Sequence, residues 1–224
     1  MAKRSYDQFC PLARALDLLG ERWTLLIVRD LIGGPRRYTD LRNELDGVPS
    51  DILTRRLRDL ETAGLVRRRE LPPPSASTVY ELTERGMELE PALLALARFG
   101  LGLLEGVPGP SAAPSPERLQ LLLRALFDPA AAGPGRRTVA LRSGELGIWV
   151  SFDGHGFETG DLREEPPAPI EATVAGQPAA LYDTLVGRRE AGEASAAGEI
   201  SVDGDFGALT AMLAAFPGPS PAAA

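Results

Sequence analysis

One segment constrains this chain more than any other: Gly106-Val-Pro-Gly-Pro-Ser-Ala-Ala-Pro-Ser-Pro116. Its prolines lack backbone donors and cannot continue a helix, its small side chains bury little, and it carries no charge. A chain interrupted in this way is expected to fold as two domains joined by a linker at 106–116. Residues 1–105 and 117–216 then each form a domain of about 100 residues, enough for a separate core. The final segment, 217–224, reads PGPSPAAA, has nothing to bury and is expected to be a disordered tail.

Charge follows the same division. Residues 1–107 hold 16 basic and 16 acidic side chains, and residues 108–224 hold 8 and 15, so the whole net charge of −7 lies in the second half. An acidic domain repels phosphate, whereas a neutral one can still carry a local basic face. Composition also excludes several classes. Apolar runs such as 25–28 and 119–123 are short and broken by charge, so none can span a bilayer. MAKRSYDQF has no apolar core of a secretory signal. The single cysteine, Cys10, has no partner for a disulfide, which fits the cytoplasm. With one histidine besides, the usual His/Cys zinc site cannot be built.

The first half reads as short helices. Cys10-Pro11 opens one with Leu12, Leu16 and Leu19 as its stripe, and Gly20 ends it. Residues 22–32 are apolar on most sides and stop at Gly33-Gly34-Pro35. Thr39 is expected to cap a helix through Leu45, and Ser50 one through about Ala63, closed by Gly64. In this fourth helix Leu53, Leu57 and Leu60 share one face. Asp51, Thr54, Arg55, Arg58 and Thr62 fall on the opposite face, with Arg56 on a flank. Such a helix suits a major groove, where arginine pairs with guanine and Thr54 reaches a phosphate or a thymine methyl. Then residues 65–71 and 78–82 read as strands joined by a Pro/Ser tip, with Arg67, Arg68 and Arg69 placed to meet the DNA backbone. This order of elements is that of a winged helix-turn-helix.

The motifs CPLARALDLLGERWT at 10–24, RRYTDL at 36–41, LTRRLRDL at 53–60, AGLV at 63–66 and YELTERG at 80–86 resemble the HxlR-type family of bacterial winged-helix regulators. The resemblance covers residues 7–103. It implies a homodimeric transcription factor that binds pseudo-palindromic promoter DNA and is not an enzyme. Its contacts would come from Arg36, Arg37, Ser50, Asp51, Thr54, Arg55, Arg58 and the three wing arginines. The resemblance places the dimer at the N-terminal segment and the last helix, 84–104, with Leu89, Leu93, Leu96 and Phe99 as interface candidates. Cys10 matches a cysteine that senses oxidants in some relatives, so a thiol switch is one alternative and a capping or packed thiol is another.

The second half reads as α+β: a helix at 116–127 capped by Ser115, strands at 138–142, 146–152, 156–159, 170–174 and 199–202, and helices at 177–186 and 205–216. An antiparallel sheet with helices on one face is expected. The order of these elements is similar to the sterol-carrier-protein-2-like fold, which implies an apolar cavity and a hydrophobic small-molecule effector. Trp149, Phe152, Phe157, Tyr182, Met212 and Phe216 are the candidate lining residues, or alternatively they fill an ordinary core. The glycines of 154–160 lie between strands and open no helix, so they form no phosphate loop. No nucleophile, base and oxyanion site assemble, and no cofactor or metal is implied. A rival reading is a hydrophobic-ligand carrier whose winged helix serves only protein contacts.

Overall fold

The computed structural model describes residues 5–72, 77–103, 116–144 and 146–218. The expected linker short of Pro116, the cap at Ser115, most of the hairpin tip and the tail from 219 lie outside the described residues. The chain divides into two units, Met1–Leu93 and Leu94–Ala224.

The first unit starts with α1, Pro11–Leu19, whose cap position is Cys10 in extended backbone with Pro11 in the first turn. Only Ala13 of α1 is buried; Leu12 and Leu16 face solvent. The second helix, α2 (Thr24–Ile32), begins two residues later than its apolar run because Trp23 lies in the left-handed region, φ 78°. After it come β1 (Arg36–Arg37) and α3 (Tyr38–Glu44). Thr39 sits inside α3 rather than capping it. The cap is Arg37, whose backbone N–H donates to Asp40 Oδ2 at 3.1 Å. Likewise α4, Ser50–Thr62, is capped by Pro49, and Ser50 is its first helical residue.

The inward face of α4 is as its periodicity requires: Leu53, Leu57 and Leu60 are buried, each contributing roughly 1.5–3 kcal/mol of apolar transfer. The helix ends in a paired-carbonyl cap. Gly64 takes φ +70°, its N–H donates to Glu61 O, and Leu65 N–H donates to Leu60 O, both at 3.0 Å. This turn launches β2 (Val66–Glu70), which pairs antiparallel with β3 (Thr78–Leu82); β3 in turn pairs with β1. β1 is two residues long and shows no alternation in the sequence, so it escapes a periodicity reading.

The expected single helix over 84–104 is two helices, α5 (Glu84–Met87) and α6 (Glu90–Leu101). Pro91 explains the break, because it has no N–H and its ring meets the carbonyl four residues back, at Met87. Gly86 in α5 is held by close approach, since a Cβ there would lie 2.1 Å from the Leu65 carbonyl oxygen.

The division into units falls within α6, at Leu93–Leu94, rather than in the linker. Leu101 joins the second unit's core with Leu119 and Leu123, and Arg98 donates to the Ala125 carbonyl. The second unit continues with α7 (Pro116–Leu126), α8 (Pro129–Ala132), β4 (Arg137–Ser143), β5 (Leu146–Asp153), β6 (Gly156–Asp161), β7 (Ala172–Gly176), α9 (Pro178–Leu185), α10 (Ala191–Ala196), β8 (Ile200–Gly204) and α11 (Phe206–Ala215). The strands form one sheet in the order β6-β5-β4-β7-β8. The α+β class stands, but the sheet is mixed and not antiparallel throughout: β4 and β7 run parallel. The connection from β6 passes β5 and β4 to reach β7, so β7 is not the hairpin neighbour of the strand before it. One face of the sheet, with Val139, Val150, Phe152 and Val174, packs against α7, α9, α10 and α11.

Candidate nucleic-acid interface

Three arginines on one helix have two kinds of environment. Arg56 is buried, and its guanidinium donates to Glu21 Oε2 at 2.7 Å and Asp59 Oδ2 at 2.9 Å. Arg55 and Arg58 are exposed, and their guanidinium groups make no hydrogen bond, ion pair or ring contact among the described residues. The helix therefore keeps one arginine for the fold and presents two to solvent. Asp51 and Ser50 are also exposed, and Thr54 is half-buried.

The start of α4 is tied to the end of β1. Tyr38, the residue directly after Arg37, donates its hydroxyl to Ser50 O at 3.0 Å and lies 3.3 Å from Thr54 Oγ1. Thr54 Oγ1 donates to the same Ser50 carbonyl at 2.8 Å. This tether joins the residue that follows Arg36 and Arg37 in the chain to the first turn of α4. Tyr38 was missed in the sequence, because a tyrosine inside RRYTDL has no periodicity that points at the next helix but one.

The wing carries its arginines in pairs across strands. Arg36, Tyr80 and Arg68 lie in one row across the three strands, with the Arg68 guanidinium 5.6 Å from the centre of the Tyr80 ring. Arg37 and Arg69 flank Val79 in the next row, and Arg37 Nε donates to Ser77 Oγ at 3.1 Å. Glu81 is a component that sequence reasoning left out. Its Oε1 accepts from Arg67 Nε at 2.7 Å and its Oε2 from Arg69 Nε at 2.9 Å. The Arg67 hydrogen bond, with that of Arg69, holds the Glu81 carboxyl below the usual carboxylate range. Two of the three wing arginines are thus partly neutralised in the free protein.

The other expected site residues are distributed more widely. The Cys10 thiol is half-exposed and makes no capping hydrogen bond. Leu93 is buried and Leu89 half-buried, whereas Leu96 and Phe99 are 52% and 70% exposed. In the second unit Phe152, Met212 and Phe216 are fully buried, and Phe157 and Tyr182 pack against the same cluster. Phe216 is the hub, with ring centres 5.7 Å from Phe152, 5.2 Å from Phe157 and 5.3 Å from Phe127. These rings fill the space between sheet and helices. Trp149 is not among them: strand alternation turns it to the opposite face, over Gly160. A cleft of about 400 Å³ opens instead beside Arg98, Leu101, Leu126, Phe127 and Pro129. Among the described residues no group of three or more His, Cys, Asp or Glu is placed to hold a metal, and no helix is long and apolar enough to cross a membrane.

Three helices feeding an arginine-bearing fourth, followed by a two-stranded ribbon, define a winged helix-turn-helix protein of the DNA-binding class. The sequence pattern of HxlR-like helix-turn-helix proteins matches residues 18–106. The chain is 40% identical over 96 residues to the uncharacterized HTH-type transcriptional regulator sll1512 of Synechocystis, covering 43% of this chain and 71% of that protein. It is 35% identical over 85 residues to the HTH-type transcriptional regulator YodB of Bacillus subtilis, covering 38% and 76%. The solved reduced form of YodB matches at 31% identity with a TM-score of 0.39, covering 46% of this chain and 99% of that one. The chain belongs to the HxlR-like helix-turn-helix family and is a transcriptional regulator of that type. The family match ends at residue 106, so all of the second unit beyond that point lies outside it.

Proposed function

We propose that the protein is a homodimeric regulator that reads a pseudo-palindromic promoter site with α4 and responds to a small apolar effector through its second unit. One observation carries the DNA-reading part. Among the described residues Arg55 and Arg58 have no partner, and they stand on the outward face of a helix whose buried leucines and clamped Arg56 fix its orientation. Unpaired guanidinium groups give up no ion pair when they turn towards guanine O6 and N7, whereas a paired one would first have to abandon its carboxylates. Arg36, Arg37 and Arg67–Arg69 supply phosphate contacts that set register without reading bases. A twofold dimer places its recognition helices about one DNA turn, ~34 Å, apart.

The effector part rests on the cleft beside α6, whose lining is mostly apolar and whose volume of about 400 Å³ suits a small molecule. The filled interior around Phe216 argues for this cleft over the space between sheet and helices. An effector acts here by its difference in affinity for two arrangements of α6.

The experiment is selection of bound fragments from sheared genomic DNA at ~150 mM salt, where purely electrostatic binding is weak. A few inverted-repeat promoters are the expected recovery. Uniform recovery of all sequences overturns site-specific reading and favours a carrier whose winged helix contacts proteins.

A further inference from the structure

The start of α4 holds a hydrogen-bond arrangement that determines which part of Thr54 can face a ligand. Thr54 Oγ1 donates to the carbonyl four residues back, Ser50 O, at 2.8 Å. Tyr38 reaches the same carbonyl at 3.0 Å and stands 3.3 Å from Thr54 Oγ1. Each hydroxyl has one hydrogen, and a carbonyl oxygen has two lone pairs. Both hydroxyl hydrogens are therefore directed at Ser50 O or at each other, and neither is available to a further acceptor. A phosphate oxygen is an acceptor only, so it gains no hydrogen bond from Thr54 unless this arrangement breaks. What the half-buried side chain can still offer is the γ-methyl, and Oγ1 only as an acceptor.

A helical threonine ordinarily divides between two χ1 rotamers, because each lets Oγ1 reach a carbonyl of the preceding turn. The Tyr38 hydroxyl beside Oγ1 removes that choice by adding a second polar neighbour at one of the two positions. We infer that Tyr38 is a positioning residue that holds Thr54 with its methyl group presented to the major groove, so that each α4 prefers a thymine, read through its 5-methyl group. The inference rests on the proposed reading of DNA by α4 and adds to it a base preference and the residue that sets it. Its chemistry complements that of its neighbours: Arg55 and Arg58 read acceptor edges, and Thr54 reads an apolar one.

The test uses the full-length protein and the operator recovered by selection, with each thymine of the protected half-sites replaced in turn by deoxyuridine. Uracil keeps every hydrogen-bonding edge and lacks only the methyl. The expected result is one position per half-site at which the replacement weakens binding about fourfold, the factor for returning one buried methyl to water. Thr54→Ser, which keeps the hydroxyl and loses the methyl, brings the thymine-to-uracil ratio at that position to one. Thr54→Val, which keeps the methyl, preserves the ratio. Tyr38→Phe lowers it, and thermal melting of each variant separates misreading from unfolding.

Deoxyuridine tolerated at every position, or an equal penalty in wild type and Thr54→Ser, overturns the thymine preference while leaving α4 as a DNA reader. A full penalty in Tyr38→Phe overturns the role of Tyr38. Recovery of no operator overturns the DNA reading and this inference together.

Discussion

The guanidinium of Arg56 donates to the Glu21 carboxylate at 2.7 Å, joining α4 to the turn between α1 and α2. Arg56 is buried, while Glu21 and its second partner Asp59 are about half exposed. Removing the arginine strands no buried carboxylate, since both acids rehydrate. Arg56→Leu is therefore expected to cost only about 1–2 kcal/mol, from lost charged hydrogen bonds partly offset by apolar packing. Arg55→Ala, one residue away and unpaired, should stay within about 0.5 kcal/mol of wild type. Urea titrations of the two variants check this, and equal destabilisation would refute the division of labour along α4.

On DNA the exposed arginines of α4 separate from those of the wing. Arg55→Ala or Arg58→Ala is expected to lose ~1–3 kcal/mol of operator binding and to relax preference at one base pair. Arg37→Ala should instead weaken all sequences alike and flatten the salt dependence. Binding isotherms on the operator and on single-base variants distinguish these outcomes. Loss from Arg55→Ala that is identical on every sequence would make it a phosphate contact.

Glu81 restrains the wing. Its two carboxylate oxygens accept from the Nε groups of Arg67 and Arg69, so the carboxylate competes with a phosphate for both guanidinium charges. Glu81→Gln is expected to strengthen binding to unrelated DNA and to steepen log K against log salt by up to about one per freed contact. The preference for the operator over unrelated DNA should fall accordingly. A salt slope unchanged by the substitution would show that Glu81 withholds neither arginine from phosphate.

Much of the fold is legible in the sequence because its signals are local. The three leucines of α4, Gly64 with its positive φ, and the alternation of β4 and β5 are each written within a turn or two of chain. Pro91 was equally local, and it marks the division of the expected long helix into α5 and α6. The remainder is hidden because it depends on distant pairing. Nothing within β7 states that it lies parallel to β4, and nothing in RRYTDL states that Tyr38 reaches Ser50. The candidate site follows the same rule. Arg55 and Arg58 are found from helical phase, but the capture of Arg67 and Arg69 by Glu81 needs the register of the hairpin. Trp149 and Phe152, by contrast, differ in strand parity, so their places on opposite faces are already written in the alternation of the expected strand 146–152.

Acid should loosen the protein in a defined window. The carboxyl of Asp161 is drawn down to about 2 by the Arg163 guanidinium and backbone N–H. Those of Asp153, through the His155 N–H and Arg136, and of Glu81 are also lowered. A carboxyl whose folded value lies below its unfolded one stabilises the fold above the unfolded value and loses that contribution as pH falls through the folded value. The melting temperature is thus expected to be level from pH 8 to about 5, then to fall progressively from the ordinary carboxylate range near 4 towards pH 2. A melting curve that rises as the solution is acidified below pH 4 would contradict the direction of these shifts.

The last prediction concerns two helices that expose apolar side chains in a single chain. On α1, Leu12 is 67% exposed and Leu16 also faces solvent, so two of the three leucines expected to bury that helix are uncovered and only Leu19 is half-buried. On α6, Leu96 and Phe99 are exposed one turn apart on the same side, while Leu93 is turned inward. Isolated exposed leucines are ordinary, but helix faces that expose consecutive apolar turns mark a surface that another chain covers. A second copy of this chain is the partner that a pseudo-palindromic site requires. The full-length protein should therefore sediment as a dimer, and Phe99→Glu or Leu12→Glu should shift it towards monomer while leaving its melting cooperative. Operator affinity should fall by at least about tenfold in the same variants, because separated half-site contacts lose the effective concentration that a dimer supplies. Wild type sedimenting as a monomer, or variants that bind the operator as tightly as wild type, would require each winged helix to act alone.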